Sequence, residues 1–332
     1  TEDKKLKQKY ITAFVLKNIL CLLFCTIVVI SFGKVFGEEN NVVGVVTVIS
    51  LLNFRFSNLD FKVRQAALTI VGIFGVLSIS PYIASISNPF LGFIINFISI
   101  IGILILTCHN VRLCNHSILV LSYFLLYGYK VENTEILINR IIGLIFGGIL
   151  VASIFYIKQR KIEFKNTFID IINDVDFNTE RTKWQLKFAF VTTSAIMIGE
   201  FLHIPRVMWI GIACMSVFHP DKSQLQIRYK QRMLYMVLGC LMYMSIYFLI
   251  PQQFRGLIGL IGGVMIGFSG TYKWQTVFNA FGALSAATPI LGFGGAIIFR
   301  ILNNVFGALY SKGFDYIINF IDNKEFANVN EA

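Results

Sequence analysis

Arg140-Ile141-Ile142-Gly143-Leu144-Ile145-Phe146-Gly147 lies near the start of a long apolar run. Arg300-Ile301-Leu302-Asn303-Asn304-Val305-Phe306-Gly307 repeats it later in the chain, and Arg232 to Gly239 has the same spacing with a less similar interior. Arginine at i, a small or polar residue at i+3 and glycine at i+7 fall on one helix face. A glycine there lets a second helix approach closely. An arginine on that same face points into the protein and away from lipid, where an intramembrane charge is tolerated.

The surrounding composition says that the solvent is lipid. Of 332 residues, 56% are hydrophobic and only 14% charged, with a mean hydropathy of +0.69. That is the signature of a polytopic membrane protein. The net charge of +11 does not mark a nucleic-acid binder, because the basic residues flank apolar runs and form no stripe interleaved with aromatics. Cys21, Cys25, Cys108, Cys114, Cys214 and Cys240 lie in or beside apolar segments without Cys-x-x-Cys spacing. They read as small buried residues, neither a disulfide frame nor a zinc site. The first apolar run follows a lysine-rich stretch and shows no small-residue cleavage pattern, so it is expected to be a transmembrane helix and not a removed signal.

Apolar segments fall at 11–33, 40–54, 65–80, 90–108, 116–128 and 136–157. After a polar stretch they resume at 184–201, 205–218, 233–250, 254–268, 274–288 and 290–310. This predicts an all-α integral membrane protein of about twelve transmembrane helices, six in each half. Segments 40–54, 205–218 and 254–268 are shorter than the roughly 20 residues of a straight span, as broken helices would be. With the N-terminus in the cytoplasm, only Lys34, Lys130, Arg206 and Arg255 lie on outer loops, and most other basic residues lie inside. An even number of spans per half gives both halves the same orientation: two parallel six-helix repeats with N- and C-termini cytoplasmic. Lys9-Tyr10 and Phe14 match Lys183-Trp184 and Phe188, Arg64 matches Arg232, and Arg140 matches Arg300. The expected domains are a first repeat over 1–157, a linker over 158–182, a second repeat over 183–310 and a tail over 311–332. Linker and tail each carry one apolar helix face: Phe164, Phe168, Ile171, Ile172 and Val175 in one, Phe314, Ile317, Ile318 and Ile321 in the other. Both are expected to pack under the bundle.

Phe218-His219-Pro220 is followed by the basic run Arg228-Tyr229-Lys230-Gln231-Arg232 and then Gly239. An apolar span ending in proline, a basic loop, and arginine with glycine seven residues on resembles the fusaric acid resistance protein-like (FUSC) family. That family groups with aromatic acid exporters and, more distantly, with plant aluminium-activated malate channels. Trp209 looks like the aromatic residue that opens the span before the proline. The sequence departs from the family pattern in three ways. Tyr235 and Met236 stand where the family has threonine, the first half has no proline at its inner loop, and Gly72 follows Arg64 one residue late. The resemblance implies a transporter, not an enzyme, that exports organic anions, aromatic carboxylic acids among them, across the cytoplasmic membrane on an ion gradient. A passive anion channel, and a membrane enzyme or assembly subunit acting on lipid-linked anions, stay open. Small organic anions and the lipid bilayer are the expected partners, with a homo-oligomer left open and no cofactor expected.

Among single residues, Arg300 is the sharpest. Counted from Pro289 it lies about 16 Å along its helix, near the middle of a roughly 30 Å hydrocarbon core, where a charge needs a cavity or a partner. It is expected to bind substrate, with Arg140 as its counterpart in the first half. Arg64 and Arg232 are expected to open their spans at the cytoplasmic face, either as anchors or as a basic vestibule that concentrates anions. Gly143, Gly147, Asn303, Gly307 and Gly239 would let helices close around the path. Glu200 and His203 would accept protons in a proton-driven exporter, or else Glu200 would pair with Arg206. Lys17 is close enough to the inner face to snorkel. Asp174, Asp176 and Asn178 mimic the start of a calcium loop, but Thr179 and Gln185 stand where glycine and glutamate are needed. Asn115-His116-Ser117 has glycosylation spacing but falls in an inner loop. No phosphate loop, nucleophile elbow or His/Glu metal pair is present.

Overall fold

Short polar caps punctuate the apolar runs and set where the helices begin. In the computed structural model, which describes residues 4–330 (the side chains of Lys222 and 321–330 excepted), Asn88 accepts from Leu91 N and Asn133 from Ile136 N. Thr179 accepts from Thr182 N, and Asp221 from Ser223 N. Each bond satisfies a backbone donor that the first turn would leave unpaired. The helices are α1 (Lys4–Phe36), α2 (Asn41–Phe54), α3 (Val63–Ile86), α4 (Pro89–Thr107), α5 (His116–Gly128), α6 (Thr134–Gln159), α7 (Phe168–Asn173), α8 (Glu180–Phe201), α9 (Met208–Val217), α10 (Lys222–Leu249), α11 (Ile258–Phe268) and α12 (Tyr272–Asn330).

Six of these, α1, α3, α4, α6, α10 and α12, are long and apolar enough to cross a bilayer. The chain is a multi-pass helical membrane protein. Its outer faces agree: Leu68, Ile98, Ile149 and Phe248 are exposed, as lipid-facing groups are. None of the most apolar window of α1 is buried, so lipid is its solvent.

α12 bends at Gly292, whose φ of 72° no other residue type adopts cheaply. The bend divides it into arms 272–291 and 293–330. In the first half the same step from one helix to the next is a loop, 129–133, between α5 and α6. The second arm runs without a break into the tail, so the expected separate tail helix is the end of α12. On that arm Phe314 packs on Phe190 and Phe218, while Ile317 is exposed. The side chain of Ile321, expected on the same face, lies outside the described residues. The linker helix is also shorter than its apolar pattern, only Phe168–Asn173. It packs beneath the first half: Phe168 N donates to Gln65 Oε1, Phe168 meets Phe61, and Ile171 is buried while Ile172 is exposed.

Packing follows one scheme in both halves. α1 lies on α2, α2 on α6 and α3 on α6; correspondingly α8 lies on α9, and α12 on both α9 and α10. The halves meet along α4 with α8, α5 with α9, and α1 with α11. Close approaches fall at the glycines of the repeated motif. A side chain at Gly307 would stand 2.7 Å from the Ile210 carbonyl of α9, and one at Gly147 would collide with Thr47 of α2. Gly239 of α10 sits against the Val277 carbonyl on the first arm of α12.

Candidate anion site

Arg140, Arg232 and Arg300 are each 3% exposed. Their surroundings separate them.

Arg140 is held by two hydrogen bonds. Its Nε donates to Asn40 Oδ1 at 3.0 Å, and Nη1 donates to the Tyr129 carbonyl. Asn40 is itself held by the carbonyls of Phe36 and Ile136. The guanidinium thus ties α6 to the α1–α2 junction and to the loop after α5. Gly143, one turn on, leaves room for Phe36 and Val43.

Arg300 stands at the corresponding place on the second arm of α12, eight residues beyond Gly292 and so about 12 Å along that arm. Its guanidinium lies 4.9 Å over the Trp209 ring, and its Nε is buried without a partner. A desolvated cation–π contact of this kind contributes about 2 kcal/mol, while an unpaired buried charge costs several kcal/mol. Asn303 holds the arm in place by donating to the carbonyls of Pro205 and Arg206.

Arg232, expected to open its span, sits within a longer helix. α10 begins at Lys222, so Arg232 is nearly three turns inside it and buried. Its Nε donates to Asn304 Oδ1 at 2.9 Å, and Asn304 Nδ2 donates to the Arg300 carbonyl at 2.7 Å. Arg232 Nη2 has no partner. Among the described residues no carboxylate pairs with Arg232 or Arg300. The two guanidinium groups interact electrostatically, and Asn304 links the Arg232 side chain to the Arg300 backbone. With Trp209 over Arg300 and Cys240 beside it, the two arginines form an electropositive, largely apolar site whose free N–H groups call for acceptor atoms.

Arg64, the sequence match of Arg232, is exposed. It lines a pocket with Lys62, Arg160 and Glu163 at the foot of α3. Glu200 accepts from Tyr127 Oη at 2.9 Å, not from Arg206. Arg206 lies over Tyr129 at 5.6 Å. Both border a cavity of about 530 Å³ between the halves, with Lys130, His203, Met208 and Leu291. His203 itself is exposed, at a φ of 52°.

Other motifs have structural explanations. Asp174 holds Arg181 through its carbonyl at 2.6 Å and its carboxylate at 2.9 Å. Arg181 also meets His109 Nδ1 at 3.0 Å. Burial, then the Arg181 charge, lowers the His109 pKa from its ordinary value, against the pull of Asp174. Asn115 is fully buried, donating to the carbonyls of Asn58 and Thr107. All six cysteines are free.

Asn304, Asn40, Tyr127 and the Tyr129 carbonyl belong to these sites without having been singled out in the sequence. Only Asn304 carried a usable signal: two adjacent asparagines inside an apolar helix.

Residues 194–311 match the model of the fusaric acid resistance protein-like family. This segment reaches from within α8 into the second arm of α12 and includes Trp209, Arg232, Arg300 and Asn304. No curated protein and no solved structure matches the chain.

Proposed function

We propose that the chain is a membrane transporter that carries organic anions, aromatic carboxylates among them, out across the cytoplasmic membrane. The single observation behind this reading is the buried pair Arg232 and Arg300, which has free donors and no carboxylate partner. A substrate carboxylate supplies the missing acceptors, and the apolar walls receive its body. Membrane character and the family match of the second half support transport over catalysis.

In this reading about twelve apolar segments, the short ones as broken helices, form two parallel repeats with termini in the cytoplasm, over the domains 1–157, 158–182, 183–310 and 311–332. The corresponding packing of α1–α6 and α8–α12 supports it. Glu200 and His203, beside the cavity at the junction of the halves, are the proton-coupling residues of this proposal, with Tyr127 orienting the Glu200 carboxylate. Arg140 serves as a structural tie.

The test is flux of a panel of organic anions in vesicles holding the purified protein, with and without a pH gradient. Wild-type flux should be saturable and gradient-dependent, and Arg300→Gln should lose it while remaining folded. Flux that persists unchanged after the gradient is collapsed would identify a passive anion channel. Wild-type flux in Arg300→Gln would remove the buried pair from the path.

A further inference from the structure

We propose a second anion-binding station at the basic end of the bundle that we read as cytoplasmic, drawing on residues of α5, α8 and α10. It is built from the indole N–H of Trp184, the ring of His116 and the guanidinium of Arg228. Three buried nitrogens here lack any partner: His116 Nδ1, Trp184 Nε1 and Arg228 Nε. His116 is 3% exposed and Trp184 8%. Their rings stand edge to face at 5.1 Å, with Phe188 packed on both. Arg228 and His219 lie within electrostatic reach of His116.

The chemistry of these groups is one-sided. An indole nitrogen only donates, and a guanidinium only donates. Arg228 reaches the Ser216 carbonyl only at 3.5 Å, and its cation lies 5.1 Å from the Tyr272 ring centre. The nearby carboxylate, Asp221, caps α10 through Ser223 N, and its backbone N–H donates to His219 Nδ1. Among the described residues none pairs with Arg228. Burying a donor without an acceptor costs about 1–3 kcal/mol, and an anionic oxygen group is the acceptor that the indole N–H and the guanidinium lack.

Position adds an independent argument. Arg228 and Arg232 are four residues apart on α10, on one face and about 6 Å along the axis. A carboxylate held at Arg228 is one helical turn from the buried pair. The station thus loads the site of the transport reading, on which this part of the inference rests, whereas anion binding at Trp184 does not depend on it.

Protein carrying Trp209→Phe and Trp274→Phe leaves Trp184 as its one fluorophore of that type. Titration with benzoate, with chloride as the small-anion control, should shift its emission saturably. Arg228→Gln should weaken benzoate binding at least tenfold, and Arg228→Lys should restore part of it. Arg300→Gln should leave the Trp184 response in place. An unresponsive Trp184 overturns the station, as does an equal response in Arg228→Gln and His116→Leu. A response lost in Arg300→Gln assigns the binding to the buried pair and overturns it too. If Arg300→Gln abolishes flux while Trp184 never responds, the transport reading stands and the station falls.

Discussion

Arg140 and Arg300 occupy matching places in the two halves, equally buried, and differ in how they are satisfied. Arg140 spends its donors on Asn40 and the Tyr129 carbonyl. Arg300 faces Trp209 and keeps Nε free, beside a second arginine that is also short of acceptors. The same motif therefore ties helices together in one half and leaves a buried donor without a partner in the other. The difference lies in what the neighbouring helices offer. Burial alone, or recurrence of the motif alone, does not distinguish the two.

The sharpest attempt to break this contrast exchanges the two losses. Arg300→Gln should lower anion flux per folded molecule by more than tenfold, with little change in thermal unfolding. Arg140→Gln should do the reverse, costing about 3 kcal/mol of stability as buried partners are orphaned, with flux per folded molecule within about twofold of wild type. Equal flux defects in the two variants would erase the distinction.

Asn40→Ala probes the tie from its other side. It leaves Arg140 Nε unsatisfied and should cost about 1–3 kcal/mol in denaturant unfolding, with substrate affinity unchanged. An affinity loss would place Asn40 on the path. Asn304→Leu gives the second half the residue that Leu144 supplies in the first. It removes the acceptor of Arg232, so added benzoate should stabilise this variant more than wild type; equal stabilisation would count against the shared site. Trp209→Phe keeps a ring over Arg300 and should raise KM only a few-fold, while Trp209→Leu should raise it further.

The smallest effect concerns pH, away from the membrane. The His109 pKa is lowered mainly by burial, so the unfolded chain binds a proton more readily than the folded one. Stability is then fully present above the ordinary histidine pKa of about 6.5 and declines as pH falls below it. His109→Gln should flatten that decline, read as thermal unfolding between pH 7 and 5; an unchanged slope would dismiss His109 as its source.

Much of the architecture is legible in the residues. The apolar runs and the caps at Asn88, Asn133, Thr179 and Asp221 mark helix starts without tertiary information. Arg232 lies nearly three turns inside its helix because α10 extends eleven residues ahead of its apolar run, a length that hydropathy does not show. The state of Arg140 and Arg300 was not legible either. It depends on a backbone carbonyl in a loop and on side chains about 90 to 100 positions away, at Trp209 and Asn40. A motif fixes where a charge sits along its helix, and the partners are chosen by the fold.

Gly292 also carries a practical consequence for tagging and labelling. In the first half, a reporter peptide spliced into the exposed loop at Lys130 to Asn133 falls between two helices that are already separate. The second half makes the same step on one left-handed residue, with no slack to give. An epitope there would rotate the arm that carries Arg300, so surface mapping of this protein belongs on the first-half loop.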